Sequence, residues 1–341
     1  MPSISLKYKY FAANLVVLWP GLLFYRTNHY YLHFLSQDTQ RVLLGLGIGY
    51  TLLGLVCFRV KTEVQPTHAY IAIVAARRWL KEVRAYLSAF PNTATLPSPS
   101  VSSQERISLL FLLLKLFYLP MMIEFIIANW GMLAGTWWSY SGVMSLPRLE
   151  AFNNFLFPCL IDVIFITECA FYAFGYAVES NYCKNVVKSI EPTFLGWAVT
   201  LACYPPFNGF VNNYASWYTS DEPIFSNALL TCVAKCAVLL CFGGYLWGAI
   251  SLGAKCSNLT NRGIVTTGAF SWVRHPAYAA KNLAWWIALL PVLSIPAVLS
   301  MAFWSFLYFL RAITEERHLG NDPDYREYCK KVRWRFIPGI F

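Results

Sequence analysis

Two short clusters near the end of the chain hold its densest polar information. The first is Arg274-His275-Pro276-Ala277-Tyr278, led into by Gly263-Ile264-Val265-Thr266-Thr267-Gly268-Ala269-Phe270. Gly263 and Gly268 permit tight turns and a close backbone approach to a ligand. Pro276 suits a first helical turn, where a missing N–H costs nothing. His275 then sits at a helix amino end, where exposed N–H groups favour a carboxylate. The second cluster is Arg311, Glu315 and Glu316. Arg311 and Glu315 are four residues apart and share one helical face. Alone, that pair reads as an interfacial ion pair. Alone, the tail beyond it, from Asp322 through Tyr325 and Tyr328 to Lys330, Lys331, Arg333 and Arg335, reads as a basic segment on anionic lipid.

The elements that must position these clusters are membrane helices. Of 341 residues, 57% are hydrophobic and only 13% charged, against about a quarter charged in soluble domains. Apolar runs long enough to cross about 30 Å of hydrocarbon recur. They predict an all-α, polytopic membrane helix bundle of about eight spans, near 11–25, 41–60, 107–130, 153–178, 193–211, 226–253, 279–294 and 295–311. The last two, separated near Ser294-Ile295-Pro296, predict a tight helical hairpin. The first is expected to be a retained helix rather than a signal peptide, since no small-residue cleavage site follows it.

Most of the 27 Lys and Arg residues fall in segments that share one side if both termini are cytosolic. The carboxyl-terminal site is therefore expected on the cytosolic face, in a bacterial inner membrane or the endoplasmic reticulum. This distribution also accounts for the net charge of +10, and no nucleic-acid signature accompanies it. Residues 68–90 interleave Arg77, Arg78, Lys81 and Arg84 with apolar side chains, as an interfacial amphipathic helix does. Pro91 to Gln104 reads as a flexible linker. Three regions follow: an amino-terminal hairpin with its amphipathic segment (1–105), central membrane helices (106–253) and a carboxyl-terminal catalytic region (254–341).

Among ten cysteines, Cys57, Cys159, Cys169, Cys203, Cys232, Cys236 and Cys241 lie in apolar runs and are expected to pack as small hydrophobes, with no metal site. Charged residues inside spans are costly and mark candidate functional groups. Here they are Lys115, Glu124, Asp162, Glu168 and Lys235. Either the two lysines neutralise the three acids, or Glu124, Asp162 and Glu168 contact substrate. Asn258-Leu259-Thr260 matches a glycosylation sequon that a cytosolic location leaves unused.

The order of features is a Gly/Thr turn, Arg-His-Pro-x-Tyr, a membrane hairpin, Arg-x-x-x-Glu-Glu-x-x-Leu and a Tyr-x-x-Tyr tail. It resembles the isoprenylcysteine carboxyl methyltransferase and phospholipid methyltransferase superfamily over roughly residues 250–338. That resemblance implies an S-adenosyl-L-methionine-dependent membrane methyltransferase with a lipid-like or prenylcysteine-like acceptor. It implies cofactor contacts from Arg262, Gly263, Ile264, Val265, Phe270, His275, Pro276, Tyr278 and Glu315, and an acceptor contact from Arg311. A carboxylate acceptor needs no general base; for an amine or thiol, His275 or Glu316 is the candidate. The chain departs from the pattern in having Phe270 where relatives usually have Tyr, and Val332-Arg333 where Val-Pro is common. Two other classes share some of these features. A sterol-reductase-like NADPH enzyme also carries Arg-His-Pro-x-Tyr, but typically with Arg-Asp and Cys after the hairpin. A non-enzymatic transporter or scaffold would use the intramembrane charges as a pathway.

Overall fold

The computed structural model describes residues 4–60, 65–89, 101–139 and 147–340. The described residues are mostly helical, with a single two-stranded ladder among them. Contacts divide it into two compact units, Met1–Glu124 and Phe125–Phe341.

The first unit holds α1 (Ile4–Thr27), α2 (His29–Phe34), α3 (Gln37–Val60), α4 (His68–Ala89) and the start of α5 (Ser103–Ser139). Helices α3 and α4 both pack on α1. Ala69, Ala72 and Ala75 are buried, while Leu80, Val83 and Leu87 are exposed beside Arg77, Lys81 and Arg84. Arg78 pairs with Glu105 at 2.9 Å. Most of the proposed linker, residues 91–100, lies outside the described residues.

The second unit continues α5 and adds α6 (Arg148–Ala151), a π-turn at Phe152–Leu156, and α7 (Phe157–Ala177). After them come α8 (Phe194–Leu201), α9 (Phe207–Asn212), α10 (Ala228–Leu252), α11 (Pro276–Leu289), α12 (Ile295–Leu319) and α13 (Pro323–Lys331). Its core joins Phe157 and Ile161 of α7, Val238, Phe242 and Tyr245 of α10, Trp285 and Leu289 of α11, and Met301 and Tyr308 of α12. Ala277, Ala280, Ala284 and Ala288 recur along α11. Such small side chains let neighbouring backbones approach closely, and α11 packs most extensively on α10.

Four described helices are long and apolar enough to cross a bilayer: Ser103–Ser139, Arg148–Ala177, Ala228–Lys255 and Ile295–Leu319. They coincide with four of the eight expected spans. The expected spans 11–25 and 41–60 are helical within α1 and α3. The expected span 193–211 is two short helices, because Pro205-Pro206 removes two consecutive N–H donors. The expected hairpin is present: α11 ends in a 3₁₀ turn at Leu290–Val292, and the Ser294 side chain caps α12 by accepting from the Ala297 N–H. α12 runs eight residues past the expected end, which carries Glu315 and Glu316 on the same continuous helix as Arg311.

The strands β1 (Ser189–Ile190) and β2 (Thr260–Asn261) pair antiparallel, Ser189 with Asn261 and Ile190 with Thr260. This ladder joins the loop before α8 to the loop after α10.

Candidate functional site

The loop after α10 is held against α7 by a glycine that cannot be replaced without movement. A Cβ at Gly175 would lie 1.9 Å from the Cys256 carbonyl oxygen. Asn185 adds a second tie, donating to the carbonyls of Val178 at 2.7 Å and Ala254 at 3.1 Å. In the loop, Leu259 takes a left-handed φ of 62°, a conformation that costs a non-glycine residue about 1–3 kcal/mol and recurs at functional sites. Asn258 is buried beside it. Its backbone N–H donates to the Tyr176 hydroxyl at 2.7 Å, and its side-chain carbonyl accepts from Arg311 at 3.2 Å. The sequon asparagine is thus an interior hydrogen-bonding group.

Arg274-His275-Pro276-x-Tyr278 is placed by the carboxyl-terminal tail. The backbone N–H groups of Arg274 and His275 donate to the carbonyls of Trp334 and Arg335, each at 2.9 Å. His275 immediately precedes α11, with Pro276 in the first turn as the sequence implied. The His275 ring stacks on Tyr278 with centroids 5.4 Å apart and planes 5° from parallel. His275 Nε2 lies 3.1 Å from Glu316 Oε1. A carboxylate only accepts, so in that bond Nε2 carries the proton. The other nitrogen, Nδ1, faces Glu315 Oε2 at 4.0 Å, and that carboxylate accepts from the Tyr278 hydroxyl at 2.9 Å.

The two adjacent glutamates therefore have different neighbours. Glu315 is half exposed and lines the cavity. Glu316 is buried against His275, Arg274 at 3.2 Å and Arg335 at 3.0 Å, and it fastens the tail to α12. Tyr328 completes the fastening by donating to the Phe270 carbonyl at 2.7 Å. Asp322 does the same one layer out. Burial would raise its carboxyl, but donors from Asn261, the Asp324 N–H and Lys188 hold it below the ordinary carboxylate range.

Between these elements lies a cavity of about 710 Å³, counted out to its open mouth. Of the residues singled out from sequence, Arg311, His275, Pro276, Tyr278, Phe270 and Glu315 line it together. Glu316 does not. Arg262, Gly263, Ile264 and Val265 brace the wall instead. Arg262 is buried, donating to the Asn185 carbonyl at 2.5 Å and to the Ser257 hydroxyl at 2.8 Å. Gly263 turns the chain at a φ of 91°, and Ile264 packs with Phe270 on Tyr325 and Tyr328. Val265 is half-buried.

Arg311 is buried at the cavity wall among the rings of Tyr278, Tyr308 and Tyr204, at 5.0, 5.1 and 5.7 Å. Among the described residues, its one hydrogen bond goes to the neutral amide of Asn258, and its Nε has no partner. No carboxylate among the described residues pairs with it.

The intramembrane charges lie elsewhere. Glu124 accepts from the Ser36 N–H at 2.7 Å within the first unit. Asp162 and Glu168 are buried on α7 and do not line the cavity. Lys235 pairs with Glu222 at 3.2 Å rather than with those three acids. It also donates to the Asn153 carbonyl at 2.7 Å. In the π-turn that carbonyl would seek the N–H of residue 158, a proline, so it is left for the lysine. Lys115 is not without a partner.

Several cavity residues lie outside the two clusters that marked the site. Ser257–Thr260 and Glu191 arrive through the strand ladder, and Thr314 and His318 share the α12 face of Arg311. The repeat 311, 314–315, 318 along one helix is the signal that would have found the last two.

Residues 229–321 match the model of the isoprenylcysteine carboxyl methyltransferase family. This bears out the resemblance over that stretch, a family of membrane methyltransferases. A curated protein, the nickel-cobalt-cadmium resistance protein NccN of Alcaligenes xylosoxydans xylosoxydans, is 29% identical over 126 residues. The alignment covers 36% of this chain and 54% of that protein, so the chain spans about half the length of this relative. No solved structure matches.

Proposed function

We propose that the second unit is an S-adenosyl-L-methionine-dependent methyltransferase that transfers a methyl group to a carboxylate on a lipophilic acceptor. The observation that carries this reading is Arg311, a buried guanidinium on a cavity with aromatic walls and with no carboxylate partner among the described residues. A buried cation without a counter-ion is costly, and an anionic guest removes the cost.

The residues on the cavity suit a nucleoside joined to an amino acid. Phe270 lines it with an aromatic ring, and Glu315 and Tyr278 line it with polar groups. When bound, S-adenosyl-L-methionine supplies an already activated methyl group. Arg311 holds the acceptor carboxylate through the guanidinium edge that now lacks a partner. Tyr204, Tyr278 and Tyr308 exclude water around it. Alignment of this kind can supply about 7–11 kcal/mol. A carboxylate is ionised at neutral pH and needs no base. For an amine or thiol acceptor, Nδ1 of His275 is the available base, since Nε2 is engaged by Glu316. Glu316, surrounded by three donors, has a positioning role toward His275 and the tail. In this reading the cavity mouth faces the cytosol, which the positive-inside distribution supports, and the acceptor enters from the bilayer.

The relative's name raises metal handling as another subject. Among the described residues no group of three or more His, Cys, Asp or Glu side chains is arranged to hold a metal ion.

The test is transfer of tritium from methyl-labelled S-adenosyl-L-methionine into a total lipid extract by the full chain in detergent. Extractable label, with a thermal shift on S-adenosylhomocysteine but not on NADPH, is expected. No transfer and no shift would overturn the reading.

A further inference from the structure

We propose that Glu191 and His318 form a second recognition point in the cavity, one that takes the ribose hydroxyls of an adenosyl group. This rests on the cofactor reading above. Glu191 lies outside the family-matched stretch, in the loop before α8, and nothing in its sequence context marks it.

Its side chain is only 3% exposed, and it lines the cavity. Its two oxygens are used unequally. Oε1 accepts from the Thr193 N–H at 3.0 Å, from the Thr193 hydroxyl, and from Arg317 at 3.0 Å. Oε2 is buried and has no hydrogen-bond donor among the described residues. Nδ1 of His318 lies 4.0 Å from it, and the other ring nitrogen of His318 is engaged by the Ser189 hydroxyl at 2.9 Å.

The arrangement is built rather than incidental. The main chain is pinned on both sides: the Glu191 N–H donates to the Leu259 carbonyl, and the Trp197 indole donates to the Glu191 carbonyl, each at 2.8 Å. Room for the carboxylate comes from Gly196, where a Cβ would lie 2.4 Å from Glu191 Cγ and 2.6 Å from Cδ. A buried acceptor left without a donor is costly, and natural structures retain few of them without a reason. Here the reason is a guest.

Two facts select the guest. Arg317 already neutralises this carboxylate, so a neutral donor fits better than a second cation such as the amino group of an amino acid. The position selects further. His318 is seven residues beyond Arg311 on one face of α12, roughly 10 Å along the helix. That is the end of the cavity where Phe270 and Leu319 lie, packed on one aromatic cluster. A ring held at Phe270 and a reacting centre near Arg311 leave the hydroxyls of an intervening sugar beside Glu191. Acidic side chains take ribose hydroxyls in dinucleotide sites by the same chemistry.

Glu191→Gln is the informative change. The three donors on Oε1 fix the new amide with its carbonyl toward them, so the NH₂ replaces Oε2 and an acceptor becomes a donor. Calorimetry of the full chain in detergent would compare S-adenosylhomocysteine with its 2′,3′-dideoxy analogue. Affinity of E191Q for S-adenosylhomocysteine is expected to fall about tenfold or more. Wild type should lose a similar factor when given the analogue, and the two proteins should bind the analogue alike. A change below twofold in E191Q, or a full loss that persists with the analogue, would overturn the proposal. The comparison of ligands on wild type alone keeps it open to refutation should the variant fold poorly. No binding of S-adenosylhomocysteine to wild type would overturn the cofactor reading itself, and this proposal with it.

Discussion

Lys235 and Arg311 are both buried cations on long apolar helices of one unit, yet their surroundings differ in kind. Lys235 has a glutamate, a backbone carbonyl and the face of Phe157 at 4.5 Å. Arg311 has one neutral amide, three tyrosine rings and an unmatched Nε. The first is closed on itself. The second is open toward a cavity. Burial of charge alone therefore does not distinguish the two cations; the missing counter-ion does.

Substitutions can break that contrast. Arg311→Met is expected to lower methyl transfer by about 10²–10³-fold, while leaving the unfolding midpoint unchanged or higher, because a buried unpaired charge is removed. Transfer assays and thermal unfolding of the same preparation check both halves. Glu316→Ala leaves Arg274 and His275 without their carboxylate, and should cost about 3–5 kcal/mol in detergent unfolding. Glu222→Gln strands Lys235 beside a neutral group. Because Glu222 is partly exposed and the Asn153 carbonyl remains, the cost should be about 1–2 kcal/mol, with ligand affinity unaltered by calorimetry. An effect of Glu222→Gln on affinity would remove the distinction between the two cations.

The smallest effect is a pH dependence. Donors hold the folded Asp322 carboxyl below its ordinary value of about 3.9, so it stabilises the folded state above that value. The contribution is lost as pH falls through the folded pKa. Wild type should therefore lose its advantage over Asp322→Asn on acidification below about pH 4, read as a converging of their midpoints.

Periodicity and composition made the long helices legible, since an apolar run needs no partner to announce itself. The motif cluster was legible because His275, Tyr278, Arg311 and Glu315 are close in sequence to the hairpin that joins them. Glu316 was misleading for a local reason: adjacent residues on a helix point about 100° apart, so only one of the pair faces the cavity. Glu191 was hidden because it reaches the site through a two-residue strand ladder spanning some seventy positions, which no local pattern records. The break after α8 was written in Pro205-Pro206, but hydropathy averaged over it.

The most direct test of the open cation uses a lipid bearing a free carboxylate and methyl-labelled S-adenosyl-L-methionine, followed by mild alkaline hydrolysis. Wild type should yield volatile labelled methanol, the signature of a methyl ester, and Arg311→Met should yield almost none. Label that resists alkali, or methanol release untouched by that substitution, would contradict a carboxylate held at Arg311.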